Sequence, residues 1–301
     1  MTNQSHLLVS VIMPAFNSVA TIGSAIQSVI DQTYPYWELI VVDDGSEDNT
    51  SEIATSFRHP GIKVLQQENQ GQSGARNTGI ESARGKYIAF LDADDLWEKQ
   101  KLEKQIRCFQ DSKDKLGFVH TGYREFDGKR DYFPKPLRYV RKSKLRGMVF
   151  QDLVIHNFIG VLTVMIPKCI LDEVGVFDRN LINSPDWDLW LRITRKYPIE
   201  YIDQPLARYR LNPHGLSKNY EKYEKNLWKL LERHLLKEDI PEKKRKMGLW
   251  LYYRHMAHGF ARNGNRTKSF ENLVKAFKIR PLSIHNLISA VYIVGRLLKG
   301  N

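Results

Sequence analysis

Four short apolar runs, each followed by apolar residues at helical spacing, fill the first 120 residues of the chain. Leu7 to Met13, Trp37 to Val42, Ile62 to Leu65 and Tyr87 to Leu91 read as strands. Ile22, Ile26, Val29 and Ile30 mark a helix, as do Ser51 to Phe57, Ser73 to Ala83 and Leu96 to Phe109. A helical crossover returns the chain to the end of the sheet where the last strand began, so such strands pair in parallel. The expected fold class is α/β, a doubly wound, mainly parallel sheet. Ligands of such sheets collect beyond the carboxyl ends of the strands.

The alternation loosens after Phe118. Residues 122–146 are rich in aromatic, basic and proline residues and read as a hairpin plus a mobile loop. Val161 to Ile166 reads as a strand, Trp187 to Ile193 as an amphipathic helix, and Ile199 to Tyr209 as one or two short strands around Pro205. From Tyr220 only helical patterns follow, over 221–238, 242–262, 267–279 and 283–298. The composition shift near 215–220 is the expected domain boundary, between residues 1–219 and a basic helical region over 220–301.

Charge divides at the same place. Of the formal net charge of +12, residues 220–301 carry 18 Lys and Arg against 7 Asp and Glu, a net of +11. That asymmetry points the tail at an anionic partner such as a membrane surface, a phosphorylated acceptor or nucleic acid. Two cysteines, Cys108 and Cys169, argue against a disulfide framework and fit a reducing cytoplasm. The polar Met1 to His6 is not a signal peptide, and no run reaches the ~18 apolar residues of a membrane span.

The chemistry concentrates at acidic strand ends. Residues 86–95, KYIAFLDADD, run from an apolar strand into Asp92, Asp94 and Asp95. Crowded carboxylates repel one another unless a cation shares them. Oxygen ligands of this kind suit Mg²⁺ or Mn²⁺ with room left for a diphosphate. Asp95 has a second reading, as the N-cap of the next helix with Glu98 completing a capping box. Asp43 and Asp44 end an earlier strand before Gly45, either as a plain turn or as acceptors for a base or ribose. Gly71 to Gly79 is a glycine-rich helix entry whose free N–H groups and Arg76 suit an anion, with a structural salt bridge as the alternative for Arg76. Asp186 and Asp188 begin a helix, where carboxylates cap; in an aromatic setting Asp186 also suits a general base. The histidines His120, His156, His214, His255 and His258 show no zinc spacing.

Taken together these segments resemble the family 2 glycosyltransferases of GT-A fold. The resemblance rests on VSVIMPAFN (9–17), VVDDGS (41–46), GARNTG (74–79), GKYIAFLDADD (85–95) and DWDLWLR (186–192). It implies inverting transfer of a sugar from a nucleotide diphosphate, usually a UDP-sugar, to an acceptor hydroxyl. By position, Pro14, Ala15 and Asn17 border the base and ribose. Asp44 contacts the base with Asp43 beside it, and Arg76 and Ala93 lie near the donor. Asp92 and Asp94 match the D-x-D site for Mn²⁺ or Mg²⁺, with Asp94 the direct ligand. Asp186 matches the catalytic base. Tyr209, Arg210, His214 and Ser217 resemble the segment that closes over the donor phosphates, with His214 a further candidate ligand.

Pro185 departs from the Glu-Asp often found before the base, which removes a possible metal or acceptor contact. The Gln-x-x-Arg-Trp motif of processive polymerases is missing, so the resemblance implies one sugar per encounter. A lipid-linked or glycan acceptor and a cytoplasmic location, at the inner face of the membrane through the tail, follow from the same reading. Two alternatives stay open on the residues alone: a receiver-like domain phosphorylated at its acidic strand end, and a nucleic-acid-binding protein using the tail.

Overall fold

The residues from Val9 to Ala15 form the central strand, β1, and all of them are buried. In the computed structural model, residues 7–127, 130–132, 144–181, 184–211 and 220–298 are described. The chain then alternates through α1 (Ile22–Ile30), β2 (Trp37–Asp43), α2 (Thr50–Ser56), β3 (Ile62–Gln66), α3 (Gly71–Ser82) and β4 (Tyr87–Phe90). These strands pair in parallel, β3-β2-β1-β4. Both faces of β1 are covered, which is why its sequence is a continuous apolar run rather than an alternating one. Val9, Val11 and Met13 pack with α1 on one face. On the other, a Cβ at Gly79 of α3 would lie 2.4 Å from Ile12 Cγ2, so glycine is what lets α3 settle on the strand.

The second half of the sheet is mixed. It contains β5 (Leu96–Trp97), β6 (Val119–Phe126), β7 (Asp131–Tyr132), β8 (Met165–Pro167) and β9 (Glu200–Arg210), and its order is β4-β8-β6-β9-β5 with β7 paired to β6. The helices α4 (Lys101–Asp111), α5 (Lys168–Val174) and α6 (Pro185–Thr194) join these strands. β6 and β7 pair antiparallel, as the hairpin expected in 122–146 requires, and residues 128–129 and 133–143 of that segment lie outside the described ones.

Two expectations need correction. Leu96 to Phe109 is not one helix, because Leu96 and Trp97 pair with Arg208 and Ala207 of β9 and the helix begins only at Lys101. Val161 to Ile166 is not one strand, since Val161–Thr163 is a 3₁₀ turn that Thr163 closes onto Gly160. Of the one or two strands expected around Pro205, the structure has one, β9. The missing N–H of Pro205 is absorbed where the β6–β9 register shifts on either side of Gly122.

The chain divides into two compact units: Met1–Phe150 with Phe158–His214, and Gln151–Asn157 with Gly215–Asn301. In the second unit α7 (Tyr220–His234), α8 (Glu242–Arg262), α9 (Arg266–Ile279) and α10 (Ile284–Leu298) follow one another. Residues 151–157 join it through Lys244, whose Nζ donates to Gln151 O and Asp152 Oδ1 at 2.9 and 2.8 Å. Among the described residues no helix is long and apolar enough to cross a membrane.

Candidate active site

Parallel pairing delivers the carboxyl ends of β1, β2 and β4 to one edge of the sheet. β8 runs against β4 and β6 against β8, so β6 and its parallel partner β9 end on that edge again. The residues singled out from the sequence gather there. Pro14 and Ala15 close β1, Asp43 closes β2, Asp92 to Asp95 follow β4, and Tyr209 and Arg210 close β9. Arg76 and Asp186 reach the same place from the amino-terminal halves of α3 and α6.

The β1 and β2 ends are tied into one turn. Asp44 N donates to Ala15 O at 2.8 Å, and Asp44 Oδ1 accepts from Gln67 Nε2 and Gln70 N at 2.7 and 2.9 Å. Asp43 Oδ1 accepts from Ser46 N at 3.2 Å. Asn17, at φ 46°, donates its N–H to Ser46 Oγ and accepts from Glu47 N on Oδ1. Asp43 and Asp44 are both buried, yet Asn17 at the mouth is exposed. Both carboxylates bond within the turn, and Asn17 and Phe16 are exposed beside them.

The acidic cluster separates by role. Asp92 Oδ1 pairs with Arg76 Nη2 at 2.6 Å, and the Arg76 side chain is only 2% exposed. Arg76 also lies 5.3 Å from the Phe177 ring. Asp94 has its carboxyl raised above the usual range, by burial first and by Asp92 second. Asp95 is fully buried, and its carboxyl is pushed well up by burial and by both neighbouring carboxylates. It caps no helix: the residue before α4 is Gln100, with no side-chain cap. Instead Asp95 Oδ1 accepts from Arg210 N at 2.8 Å, and Arg210 Nε donates to Asp94 O at 2.8 Å. The third carboxylate thus ties the end of β9 to the acidic loop. Tyr209 sits beside it, its phenol pushed up to about 12 by burial and then by Asp95, Asp94 and Asp92, so it remains a donor.

Asp186 is the second residue of α6, after Pro185, whose fixed φ and missing N–H suit a helix start. Its carboxyl is raised mainly by burial; Arg76 pulls it back down, and Asp92 adds to the rise. Asp188 is different, buried completely and paired with Arg192 at 2.9 Å. Arg192 also donates to the carbonyls of Val174 and Val176, at 2.6 and 2.7 Å. Asn77 exchanges two hydrogen bonds with the backbone of Phe177, at 2.8 and 3.1 Å. These bonds hold the segment leading to Asp186 against α3. Two glycines of that helix allow close packing: beside Gly79, a Cβ at Gly74 would meet Gln70 Cβ at 2.5 Å, whereas Gly71 takes a positive φ of 75°.

A divalent cation fits this chemistry. Asp92 and Asp94 offer carboxylate oxygens, burial and then Asp92 raise the Asp94 carboxyl, and Asp95 Oδ2 is buried without a partner. Among the described residues no third acidic, histidine or cysteine side chain completes a cage. His214 and Ser217 lie outside them.

A sequence model described as Glycosyl transferase family 2 matches residues 10–170, more than half the chain. The chain belongs to this family. It is a glycosyltransferase of family 2, and its fold is of the GT-A type with a helical carboxyl-terminal part. Among its relatives is the Escherichia coli UDP-Glc:alpha-D-GlcNAc-diphosphoundecaprenol beta-1,3-glucosyltransferase WfgD, 36% identical over 227 residues, covering 74% of this chain and 85% of that one. Another is the putative teichuronic acid biosynthesis glycosyltransferase TuaG of Bacillus subtilis, 35% identical, covering 76% and 88%. In fold the glycosyltransferase is similar to residues 1–349 of S. aureus TarS, solved with UDP-GlcNAc, at TM-score 0.67 and 17% identity over 96% of this chain and 89% of that one. It is likewise similar to the mannosyltransferase PcManGT from Pyrobaculum calidifontis, solved with GDP-Man and Mn2+, at TM-score 0.65 and 18% identity, covering 96% of this chain and 79% of that one.

Three site features of this glycosyltransferase escape sequence reasoning. The Asn77–Phe177 pair, the Asp95–Arg210 tie and the contact of Arg76 with the Phe177 ring all join residues far apart in the chain. Local spacing carries no signal for any of them.

Proposed function

We propose that this glycosyltransferase moves one sugar per encounter, with inversion, from a UDP-sugar to an acceptor hydroxyl in the synthesis of a cell-envelope polysaccharide or glycolipid. The donor and acceptor classes are supported by WfgD, which acts on a diphosphoundecaprenol-linked sugar, and by TuaG of teichuronic acid biosynthesis. A cytoplasmic position beside the membrane follows from a lipid-linked acceptor. Charge supports the tail as the part that meets an anionic membrane surface. We assign donor binding to residues 1–120, acceptor binding to 121–219 and the basic helical region to 220–301.

The observation that carries the reading is the grouping of Asp186 with Arg76 and Asp92 at the carboxyl edge of the sheet. Asp186 takes the acceptor hydroxyl proton as that oxygen attacks the anomeric carbon on the face opposite the diphosphate. One displacement inverts that carbon. A raised carboxyl pKa brings the base nearer the operating pH. Pro14, Ala15, Asn17, Asp43 and Asp44 hold the nucleoside, with Ala93 and Arg76 against the rest of the donor. Tyr209 and Arg210 donate toward the diphosphate oxygens. Asp94, with Asp92, would hold Mn²⁺ or Mg²⁺, which supplies Lewis-acid stabilisation to a departing diphosphate.

Calorimetric titration of UDP with and without Mn²⁺ tests this site. Binding is expected to need the metal and to be lost in Asp94→Asn. Asp186→Asn is expected to keep UDP affinity and lose about 10²- to 10⁴-fold in transfer rate. Metal-independent UDP binding unchanged in Asp94→Asn would remove the metal site, and full transfer by Asp186→Asn would remove the base.

A further inference from the structure

Helix α10 is amphipathic, but polar groups share its buried side with Ile293 and Ala290, and its outward side is apolar. Asn286 and Ser289 are fully buried on its inner side. Along the opposite side Ile284, Leu287, Ile288, Val291 and Val294 are exposed by 53–74%. Their spacing of three and four residues makes one continuous apolar stripe.

Polar bonds fix this orientation. Asn286 Oδ1 accepts from Trp250 Nε1 at 2.8 Å, and its Nδ2 donates to Arg280 O at 2.8 Å. Ser289 Oγ donates to His285 O at 2.8 Å and accepts from Arg254 Nε at 3.2 Å. Turning the helix over would bury the stripe only by leaving these groups unpaired, which costs more than an exposed Leu or Val. Beside the stripe, an apolar groove of ≈ 540 Å³ opens between α9 and α10, with Phe270, Phe277 and Val294 on its walls and Lys278 among its lining.

Downstream of Glu271 the charges are of one sign. From Asn272 to Asn301 there is no Asp or Glu and there are five Lys or Arg. Arg254 and Arg280 each lie 4.7 Å from the Trp250 ring, and Arg262 donates to Tyr292 Oη at 3.5 Å. Among the described residues Arg254, Arg262, Arg280 and Arg296 form no ion pair with a carboxylate. A second copy meeting this face about a two-fold axis would set these arginines against their own equivalents. An anionic bilayer surface answers both features: apolar residues enter the headgroup–acyl boundary while flanking cations meet lipid phosphates.

We infer that the outward face of α10, with the arginines beside it, is a docking surface for an anionic lipid bilayer. This rests on the reading of the basic tail as membrane-facing and narrows it to one helix face. The full chain is sedimented with vesicles of equal parts phosphatidylglycerol and phosphatidylcholine, and with phosphatidylcholine alone. Co-sedimentation is expected only with the first. Ile288→Asp with Val291→Asp, both at exposed positions, is expected to lower vesicle partitioning at least about tenfold with the helical circular dichroism unchanged. Arg280→Gln with Arg296→Gln is expected to lower it about tenfold or more. Lys243→Gln with Lys246→Gln removes equal charge from the start of α8 and is expected to leave partitioning within about threefold of wild type. Retained partitioning in the stripe variant overturns the inference while leaving the charge-based reading of the tail standing. No partitioning of the wild type onto anionic vesicles overturns both. A dimer by sedimentation equilibrium that the stripe substitutions dissociate, without vesicle binding, makes the occupant a second copy and likewise overturns the inference.

Discussion

Burial sets how tightly Asp186 holds its proton, and Arg76 tempers it. Burial raises the Asp186 carboxyl, and the Arg76 cation opposes that rise. In the free enzyme the base must be ionised, so the acid limb of the kcat/KM profile follows its pKa. Arg76→Gln removes the opposing charge and leaves Asp92 unpaired nearby, both of which favour the protonated base. The acid limb is expected to move to higher pH, and Arg76→Lys, which keeps a positive charge, is expected to move it less. A pH–rate series on the three proteins checks this, and an unmoved limb in Arg76→Gln excludes the coupling. Asp186 is legible in the sequence as a carboxylate at a helix start, and the resemblance makes it a base. Its neighbour Arg76 is not legible, because it comes from α3, more than a hundred residues earlier in the chain. Asp95 shows the reverse. Local spacing makes it a helix cap, but Arg210, far along the chain, claims its oxygen.

Elements whose partners are local follow the sequence closely. β1 to β4 and their crossover helices stand where hydrophobic periodicity puts them, because each is bounded by its own turn residues and buried on predictable faces. Leu96 and Trp97 fit a helical pattern with Leu102 and Ile106, and only pairing to β9 makes them a strand. Long-range pairing is outside what a local window reads. The glycines of α3 also need the fold to interpret them. In the sequence they suggest an anion cradle, and in the structure Gly79 is where α3 touches β1. Gly79→Ala forces its methyl into Ile12 and is expected to destabilise by about 1–3 kcal/mol. Urea unfolding at fixed pH measures this, and a loss below about 0.5 kcal/mol would mean that α3 moves off the strand freely.

At the scale of the whole molecule, composition shows where positive charge collects and where helices replace strands, but not which face of a helix looks inward. That face depends on partners such as Trp250 for Asn286, which no periodicity identifies. Buried polar groups leave another mark on the molecule, in its response to acid. His120 is 1% exposed on β6, packs 4.9 Å from the Tyr201 ring and shares a 2.7 Å hydrogen bond with Leu145 O. Burial is the main reason its pKa falls from 6.5 to about 4. The folded protein therefore keeps this imidazole neutral where the unfolded chain takes up a proton. Folding stability from this group is fully present above pH 6.5, declines as pH falls toward 4, and changes little below that. The decline amounts to about 3 kcal/mol between pH 7 and pH 4. His120→Gln keeps an N–H donor without a titrating group. Its stability, compared with wild type by denaturant unfolding at a series of pH values, is expected to lose this part of the acid dependence, so the gap between the two proteins shifts by about 3 kcal/mol in favour of the variant as pH falls. A gap that stays constant from pH 7 to pH 4 would mean that the ring is protonated in the folded state at pH values near its ordinary range.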